Sequence, residues 1–248
     1  MAMYAGFARL YDSLMDDFDY PKWAEYYLAL LNRAGVAPQT LCDCACGTGG
    51  LTIPLAERGI RVTGVDISRE MLELAAEKSR RAGVRAMYVC QDMCELRLPR
   101  PADALICACD GVNYLTDAAR VTAFFRAAFQ ALRPGGALAF DISSRHKLEE
   151  EMGDAFFGEE RDDVAYLWAN SLDREKHLVT MDITFFVRER GDLYRRVVER
   201  HVQRAHAPEE LTRLLAEAGF AGVEVFGDQT LEPPLAAEKR LHFLARRP

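Results

Sequence analysis

The sequence has no long apolar run and no excess of basic residues. None of its hydrophobic stretches is long enough to cross a bilayer, and its first residues lack the basic segment and apolar core of a signal peptide. We therefore predict a cytoplasmic protein with no membrane partner. The net charge of −7 leaves no global basic field, which disfavours nucleic acid as a partner. The oligomeric state stays open.

Paired C-x-x-C knuckles are also missing, although the chain has seven cysteines. All of them lie between Cys42 and Cys109, and this one-sided, odd-numbered set argues against a secreted disulfide framework. Cys42, Cys44 and Cys46 alternate along a predicted strand, and so do Cys107 and Cys109, so a metal cluster between neighbouring strands is one hypothesis. We favour reduced thiols that pack as small hydrophobic side chains, and predict no metal.

A glycine turn is the clearest local pattern that is present. A short apolar run containing Asp43 leads into Gly47, Gly49 and Gly50, just before a predicted helix. Glycines let the backbone turn sharply and approach a ligand at the positive end of that helix. A pyrophosphate would gain nothing from the Asp43 carboxylate, whereas a cationic or amine-bearing ligand suits it. Alone, the turn is a weak signal, because Ala45, Gly47 and Gly50 also imitate a degraded dinucleotide motif.

Alternating strands and helices over the first 142 residues predict an α/β fold with a parallel, doubly wound sheet. Extended segments at 164–170, 177–190 and 193–205, separated by turn residues, then predict an antiparallel meander. A helix at 208–218 and strands at 223–226 and 241–245 follow. We therefore assign 1–150 and 207–248 to one domain, and 151–206 to a β insertion.

Four aspartates stand at the ends of successive predicted strands. They are Asp43, Asp66, Asp92 and Asp110. In an open α/β sheet this carboxyl edge is where ligands bind, and Asp66 is placed to accept both hydroxyls of a ribose. The regular spacing predicts a nucleoside site, because aspartates that merely cap helices would not recur at every strand end.

This ordered set resembles the class I S-adenosylmethionine-dependent methyltransferases over nearly the whole chain. The family's first motif, D/E-x-G-x-G-x-G, corresponds to Asp43 through Gly49, with Ala45 in place of the first glycine. Alanine adds only a methyl group, so we expect the loop to persist. The resemblance implies S-adenosylmethionine as cofactor and a Rossmann-like, seven-stranded sheet whose last strand is antiparallel.

The resemblance also implies roles around the cofactor. Asp66 would bind the ribose hydroxyls, and Ile67 and Met71 would flank the adenine. Asp92 would contact the adenine amino group beside the backbone of Met93. The remaining residues assigned to the cofactor site are Asp43, Ala45, Gly47, Gly49 and Asp110.

A closer likeness is to small bacterial methyltransferases that begin with Y-x-x-F/L-A-x-x-Y-D and carry a β insertion. The matching residues here are Tyr4, Phe7, Ala8, Tyr11 and Asp12. Relatives of similar layout include sugar N,N-dimethyltransferases and glycine N-methyltransferase. By this likeness, Tyr11 and Trp23 would lie over the methionine end of the cofactor, and the inserted strands would wall the acceptor site.

Methyl transfer is an in-line displacement, so alignment and desolvation of the nucleophile matter most. An amine acceptor needs no strong base, whereas a hydroxyl benefits from one, for which Asp110, His201 and His206 are candidates. Both histidines are equally compatible with solvated strand positions. Asn113 is a candidate for orienting a polar acceptor, and Tyr114 for packing on the transferred methyl group.

We predict a methyltransferase that acts on nitrogen or oxygen of a small polar metabolite. The alternatives are an RNA or protein methyltransferase and a non-catalytic S-adenosylmethionine-binding regulator, which would need no open acceptor pocket. Arg196, Arg200 and Arg204 share one face of a predicted strand, where RNA phosphates or an acidic substrate could bind. We favour a solvated face with local ion pairs. The Asn/Asp-Pro-Pro-Tyr/Phe motif of adenine- and glutamine-directed relatives is absent.

Overall fold

The computed structural model describes residues 18–161 and 163–248. The predicted N-terminal motif, including Tyr11, lies outside this part of the chain. Its strands are β1 (Thr40–Cys44), β2 (Arg61–Asp66), β3 (Met87–Cys90), β4 (Ala102–Cys107), β5 (Leu132–Ser143), β6 (Phe156–Glu160), β7 (Val164–Asp173), β8 (Leu178–Arg190), β9 (Leu193–Arg204), β10 (Ala221–Phe226) and β11 (Arg240–Arg246). Its α-helices are α1 (Tyr20–Arg33), α2 (Thr52–Glu57), α3 (Arg69–Arg81), α4 (Ala118–Ala131) and α5 (Pro208–Glu217).

Seven strands form the central sheet, in the order β10-β11-β5-β4-β1-β2-β3. Strands β1 to β5 pair in parallel, and β11 is antiparallel to both β5 and β10. The strand order reverses between β1 and β4, which places a ligand crevice at the carboxyl ends of these two strands. The predicted doubly wound sheet with an antiparallel last strand is confirmed.

Side-chain caps fix the starts of the helices that cover this sheet. The Ser68 hydroxyl accepts a hydrogen bond from the Met71 N–H at 3.3 Å and begins α3 directly after β2. Asp117 caps α4 in the same way, and Pro208 opens α5. Phe124 and Phe125 of α4 are fully buried on one face of the sheet, and α1 and α2 bury their apolar residues on the other.

A second sheet, in the order β6-β7-β8-β9, is antiparallel throughout. It lies between β5 and α5 in the chain, as predicted for the insertion. Its first strand, Phe156–Glu160, is missing from the sequence prediction because all five of its residues are exposed and show no apolar alternation. A π-helix, His146–Met152, connects β5 to this sheet and was also not predicted.

The cysteines of β1 and β4 pack in the core of the central sheet. Cys42, Cys44 and Cys107 are fully buried, and the sulfur atoms of the first two lie 3.8 Å apart. Burial raises the pKa of the Cys107 thiol well above its ordinary value, so it stays protonated. Within the described ranges, no three His, Cys, Asp or Glu side chains form a group that could hold a metal ion.

A search of the same residues for membrane-spanning segments found no helix of sufficient length and hydrophobicity. The cytoplasmic location stays a prediction.

Candidate active site

A cavity of about 600 Å³ lies between the carboxyl edge of the central sheet and the inner face of the second sheet. The central sheet and its loops line one side with Ala45, Gly47, Asp66, Ile67, Asp92 and Asp110. The second sheet and the π-helix line the other with Lys147, Tyr166, Trp168, Met181, His201 and Gln203. Most of the predicted site residues therefore meet in one cavity, together with several that were not predicted.

The loop after β1 has the left-handed backbone that its glycines allow. Gly47 and Gly49 have φ angles of +53° and +79°. A Cβ on Gly49 would lie 2.8 Å from the Tyr88 hydroxyl oxygen, so a side chain is excluded there. Ala45 has φ of +54° and lines the cavity, so the loop keeps its shape without the family's first glycine. Gly49 itself does not line the large cavity.

Asp66 presents a buried carboxylate to the cavity. Its two oxygens accept hydrogen bonds from the backbone N–H groups of Gly47, at 2.9 Å, and Ser68, at 2.8 Å. Burial raises the pKa of Asp66, against the effect of these two hydrogen bonds. Beside it, Ile67 is 63% exposed at the cavity wall, whereas Met71 is buried. A carboxylate next to an exposed apolar side chain fits a ribose diol and an adenine ring.

Asp92 lies at the same end of the cavity, followed by Met93. It accepts hydrogen bonds from the Cys94 N–H at 2.9 Å and from the Arg120 guanidinium at 2.8 Å. Burial acts to raise the pKa of Asp92, but the hydrogen bonds from Arg120 and Cys94 hold it below its ordinary value. Asp92 is therefore an anion with free acceptor capacity, as an adenine amino group requires.

Two residues assigned to the cofactor lie behind the cavity wall. The Asp43 carboxylate is buried, accepts a hydrogen bond from the Thr52 hydroxyl at 2.6 Å, and lines only a small neighbouring cavity of about 30 Å³. Burial raises its pKa to about 7. Trp23 is 5% exposed and packs between Phe18 and the guanidinium of Arg240. Both support the wall; neither lines the large cavity.

Asp110 is held by a buried ionic network that the sequence analysis missed. The Arg240 guanidinium donates to Asp110, at 2.7 Å, and also to Asp141. Asp141 is fully buried and accepts further hydrogen bonds from Tyr27, at 2.6 Å, and from the Cys109 N–H, at 2.8 Å. Arg240 contacts both carboxylate oxygens of Asp110, which weakens the candidacy of Asp110 as a general base. The sequence does contain a signal for Asp141, because a carboxylate inside the apolar run 137–142 indicates a buried, paired charge.

His201 and Tyr114 form a pair on the cavity wall. The Tyr114 hydroxyl oxygen lies 3.2 Å from Nδ1 of His201, and both side chains line the cavity. His201 is 4% exposed, and burial lowers its pKa below the ordinary value. The imidazole is therefore neutral at pH 7 and able to accept a proton.

Asn113 and His206 are both fully buried, and neither lines the cavity. The Asn113 amide donates to the carbonyl oxygens of Ser143, at 3.1 Å, and Arg204, at 2.9 Å, and accepts from the Ser143 N–H at 2.9 Å. Nε2 of His206 lies 3.2 Å from the Val112 carbonyl oxygen. These contacts give both side chains a role in joining the two sheets rather than in touching an acceptor.

The arginines of β9 lie on the outer face of the second sheet, away from the cavity. Arg200 is paired with Asp182 at 2.6 Å, and Arg204 with Glu210 at 3.0 Å. Arg196 is exposed on the same face. Local ion pairs of this kind were expected for this face of the strand. None of the three arginines lines the cavity.

Comparisons with known proteins agree with this geometry. Residues 41–136 match the model of a methyltransferase domain family. YqeM of Bacillus subtilis (strain 168), which is assigned as a methyltransferase, is 36% identical over 246 residues, covering 99% of this chain and 97% of the relative. An S-adenosylmethionine-dependent methyltransferase from Clostridium acetobutylicum ATCC 824 has a crystal structure that superposes with a TM-score of 0.89 at 32% identity, covering 98% of each chain.

A more distant structure shares the fold and contains the cofactor. CalS10 of Micromonospora echinaspora, described as an amino pentose methyltransferase with S-adenosylmethionine bound, superposes with a TM-score of 0.76 at 22% identity, covering 96% of this chain and 97% of the other. The chain belongs to the S-adenosylmethionine-dependent methyltransferases and uses S-adenosylmethionine as its cofactor.

Proposed function

We propose that this enzyme methylates a nitrogen or oxygen atom of a small polar metabolite inside the cavity between its two sheets. The main observation that supports this proposal is that the cavity continues from the cofactor residues to the inner face of the second sheet, where His201 lies. Its volume of about 600 Å³ suits a cofactor and a small acceptor together. In this proposal the insertion, 151–206, is the wall of the acceptor site.

The cofactor half follows from the residues already described. The carboxylate of Asp66 accepts the ribose hydroxyls, Ile67 and Met71 flank the adenine, and Asp92 with the backbone of Met93 accepts its amino group. When bound, S-adenosylmethionine supplies an activated methyl group on a sulfonium. Ala45, Gly47 and Asp110 lie at the end of the cavity nearest β1 and β4, where Asp110 is paired with Arg240.

The chain's own contribution to the reaction is alignment and proton removal. His201 is neutral and hydrogen-bonded to Tyr114, so it is able to take a proton from an acceptor hydroxyl or from a newly methylated amine. The second sheet covers one side of the cavity, which reduces the contact of a bound nucleophile with water. An amine-bearing acceptor is compatible with the amino pentose named for CalS10.

The alternatives are less well supported. An RNA or protein substrate would be expected to use the exposed arginines of β9, but these lie on the face opposite the cavity. A cavity that continues beyond the cofactor residues favours an enzyme over a binding regulator, because a regulator needs no acceptor space.

A labelled-methyl transfer assay tests the proposal. The full chain is incubated with S-adenosylmethionine labelled in the methyl group and, separately, with a small-metabolite extract, total RNA and a protein mixture. We expect label in the small-metabolite fraction. Label confined to RNA or protein would overturn the proposed substrate class.

The pH profile tests the base. In the wild-type enzyme, the rate should fall as the pH drops through the pKa of His201, which burial places below the ordinary value of about 6.5. His201→Gln should lose about 10²–10⁴-fold in rate for a hydroxyl acceptor and also lose this acidic limb. His177→Asn, at the turn after β7, is the matched control, and an unchanged acidic limb in His201→Gln would exclude His201 as the base.

A further inference from the structure

Charge is unevenly distributed around the cavity. The carboxylates that line it, Asp66, Asp92 and Asp110, all belong to the central sheet. Among the described residues of the second sheet, its β6–β7 loop and the π-helix that line it, Lys147 and Arg161 are cations, Arg161 is paired with Glu159, and none is an acid. On the cofactor side Arg120 and Arg240 are paired with Asp92 and Asp110, whereas Lys147 on the acceptor side has no such carboxylate among the described residues and attracts negative charge.

Lys147 lines the cavity near Asp110 and is connected to it through one hydroxyl group. Its Nζ donates to the Ser143 hydroxyl oxygen at 3.1 Å, and that hydroxyl donates to Asp110 at 3.0 Å. Lys147 makes no ion pair within 4.0 Å to any residue in the described part of the chain. The ammonium group keeps two further N–H donors for a ligand.

The π-helix explains why Lys147 faces the cavity. The Gly153 N–H donates to the Leu148 carbonyl oxygen at 2.9 Å, an i to i+5 bond that widens the turn. In this wide turn, residues five apart lie on one face, and Lys147 and Met152 both line the cavity. In an α-helix of the same length, these two side chains would point in different directions.

Gln203 is a second polar group on the acceptor side of the cavity. Its side chain lines the cavity on β9, is 6% exposed, and forms no hydrogen bond with a described residue. The amide faces the open cavity, where its N–H and C=O groups are available to a ligand. Asn113 bonds the carbonyl oxygens of both Ser143 and Arg204, which brings the backbone beside Gln203 close to the strand end that bonds Lys147.

Tyr166 and His201 also line the cavity from the second sheet, and Glu199 is buried on the same face of β9. The apolar part of this inner face lies beside them. It consists of Trp168 on β7 and Met181, Ile183 and Phe185 on β8. We propose that the methyl acceptor carries an anionic group, a carboxylate or a phosphate, that binds Lys147 and Gln203, while its apolar body packs on these four side chains. This inference rests on the proposed function and narrows its substrate class.

Calorimetry with small probes tests the anion subsite directly. The full chain, saturated with S-adenosylhomocysteine, is titrated with phenylacetate, phenyl phosphate and neutral phenylacetamide. We expect one of the two anions to bind more tightly than the amide, and which anion wins distinguishes a carboxylate from a phosphate. Lys147→Met should weaken that anion by about tenfold or more, the expected effect of losing one charged hydrogen bond.

Three variants control for charge and folding. Lys147→Arg keeps the charge and should bind the anion within about threefold of wild type, since a guanidinium also pairs with both anions. Gln203→Glu adds a like charge and should weaken the anion but not the amide. Arg196→Met removes a cation from the outer face of the same sheet and should change nothing.

Three results would overturn the inference. The first is equal affinity for the anions and the amide in the wild-type protein, and the second is no binding of any probe. The third is an equal loss of S-adenosylhomocysteine affinity in Lys147→Met, which would assign the lysine to the cofactor carboxylate. The methyl-transfer assay distinguishes failure of the anion subsite from failure of the proposed function. Label in neutral metabolites contradicts only the anion subsite, whereas label confined to RNA or protein contradicts the proposed function.

Discussion

Ala45 has a backbone conformation that alanine adopts at a cost. Its φ of +54° lies in the left-handed region, where the Cβ crowds the following carbonyl. The methyl group also lies 3.1 Å from the position that a Cβ on Gly111 would occupy, so these two small residues fit each other across the cavity floor. The absence of a side chain at Gly111 therefore leaves room for the Ala45 methyl group.

Replacing this alanine should stabilise the protein. We expect Ala45→Gly to raise the free energy of unfolding by about 0.5–1 kcal/mol, because glycine adopts positive φ without strain. Ala127→Gly, in the interior of α4, is the opposite control and should lower it by about 1 kcal/mol. Urea denaturation of both variants measures the difference, and a loss of stability in both would show that Ala45 is unstrained.

Asp66 is the residue on which cofactor affinity should depend most. We expect Asp66→Asn to weaken S-adenosylhomocysteine binding by about 10–100-fold, because one charged acceptor for the ribose hydroxyls is lost. Asp182→Asn, on the outer face of the second sheet, should bind normally. Calorimetry gives both affinities, and an unchanged affinity in Asp66→Asn would remove Asp66 from the ribose site.

At the level of elements, the second sheet is fastened to the first through a few buried polar contacts. Asn113, in the turn after β4, bonds to the backbone at the end of β5 and at the end of β9. His206 and Arg145 add contacts to the Val112 and Ala205 carbonyl oxygens, at 3.2 Å and 3.1 Å. The distance between cofactor and acceptor walls is therefore set at this junction.

Removing the Asn113 contacts at this junction should reduce methyl transfer more than cofactor affinity. We expect Asn113→Ala to lower the free energy of unfolding by about 3 kcal/mol, because three buried backbone groups lose their partner. Methyl transfer should fall while S-adenosylhomocysteine affinity stays near wild type. Gln130→Ala, exposed on α4, is the matched control. Equal losses of methyl transfer and cofactor affinity would contradict a role confined to the junction.

Sequence patterns predicted elements better than contacts. Apolar runs that end in Asp66 and in Cys109-Asp110 marked the strand ends, so the sheet and the cofactor edge were predictable. They do not determine side-chain direction, and Asn113 faces backbone groups instead of the acceptor. Lys147 was not predicted because its position depends on a π-turn, and Arg240 was not predicted because it pairs with a residue 130 positions earlier.

At the scale of the whole molecule, two buried groups have opposite effects on stability as pH changes. Burial lowers the pKa of His206 to about 4, so its contribution to stability is lost as the pH falls below about 6.5. Burial raises the pKa of Asp43 to about 7, so the folded state gains stability as the pH falls and this carboxyl takes up a proton. Between pH 7 and pH 5, each effect amounts to about 2 kcal/mol, and the two oppose each other.

Removing the Asp43 carboxyl should reveal the effect of His206 on the pH dependence of stability. We expect the wild-type free energy of unfolding to change by less than about 1 kcal/mol between pH 7 and pH 5 from these two groups. In Asp43→Asn the protein should instead lose about 2 kcal/mol on the same step, because the effect of His206 is no longer opposed by that of Asp43. Urea denaturation at both pH values, without cofactor, measures this, and parallel behaviour of variant and wild type would refute it.

The pairing of Arg240 with Asp110 and Asp141 also has a consequence for synthesis. A growing chain that ends before residue 240 contains every residue that contacts the cofactor in our assignment, yet its two neighbouring carboxylates lack their shared cation. Charge repulsion then opposes closure of the sheet edge until the last strand arrives. The methyl-donor site is therefore completed late in translation, although its glycine-rich motif, Asp43 through Gly49, is synthesised early.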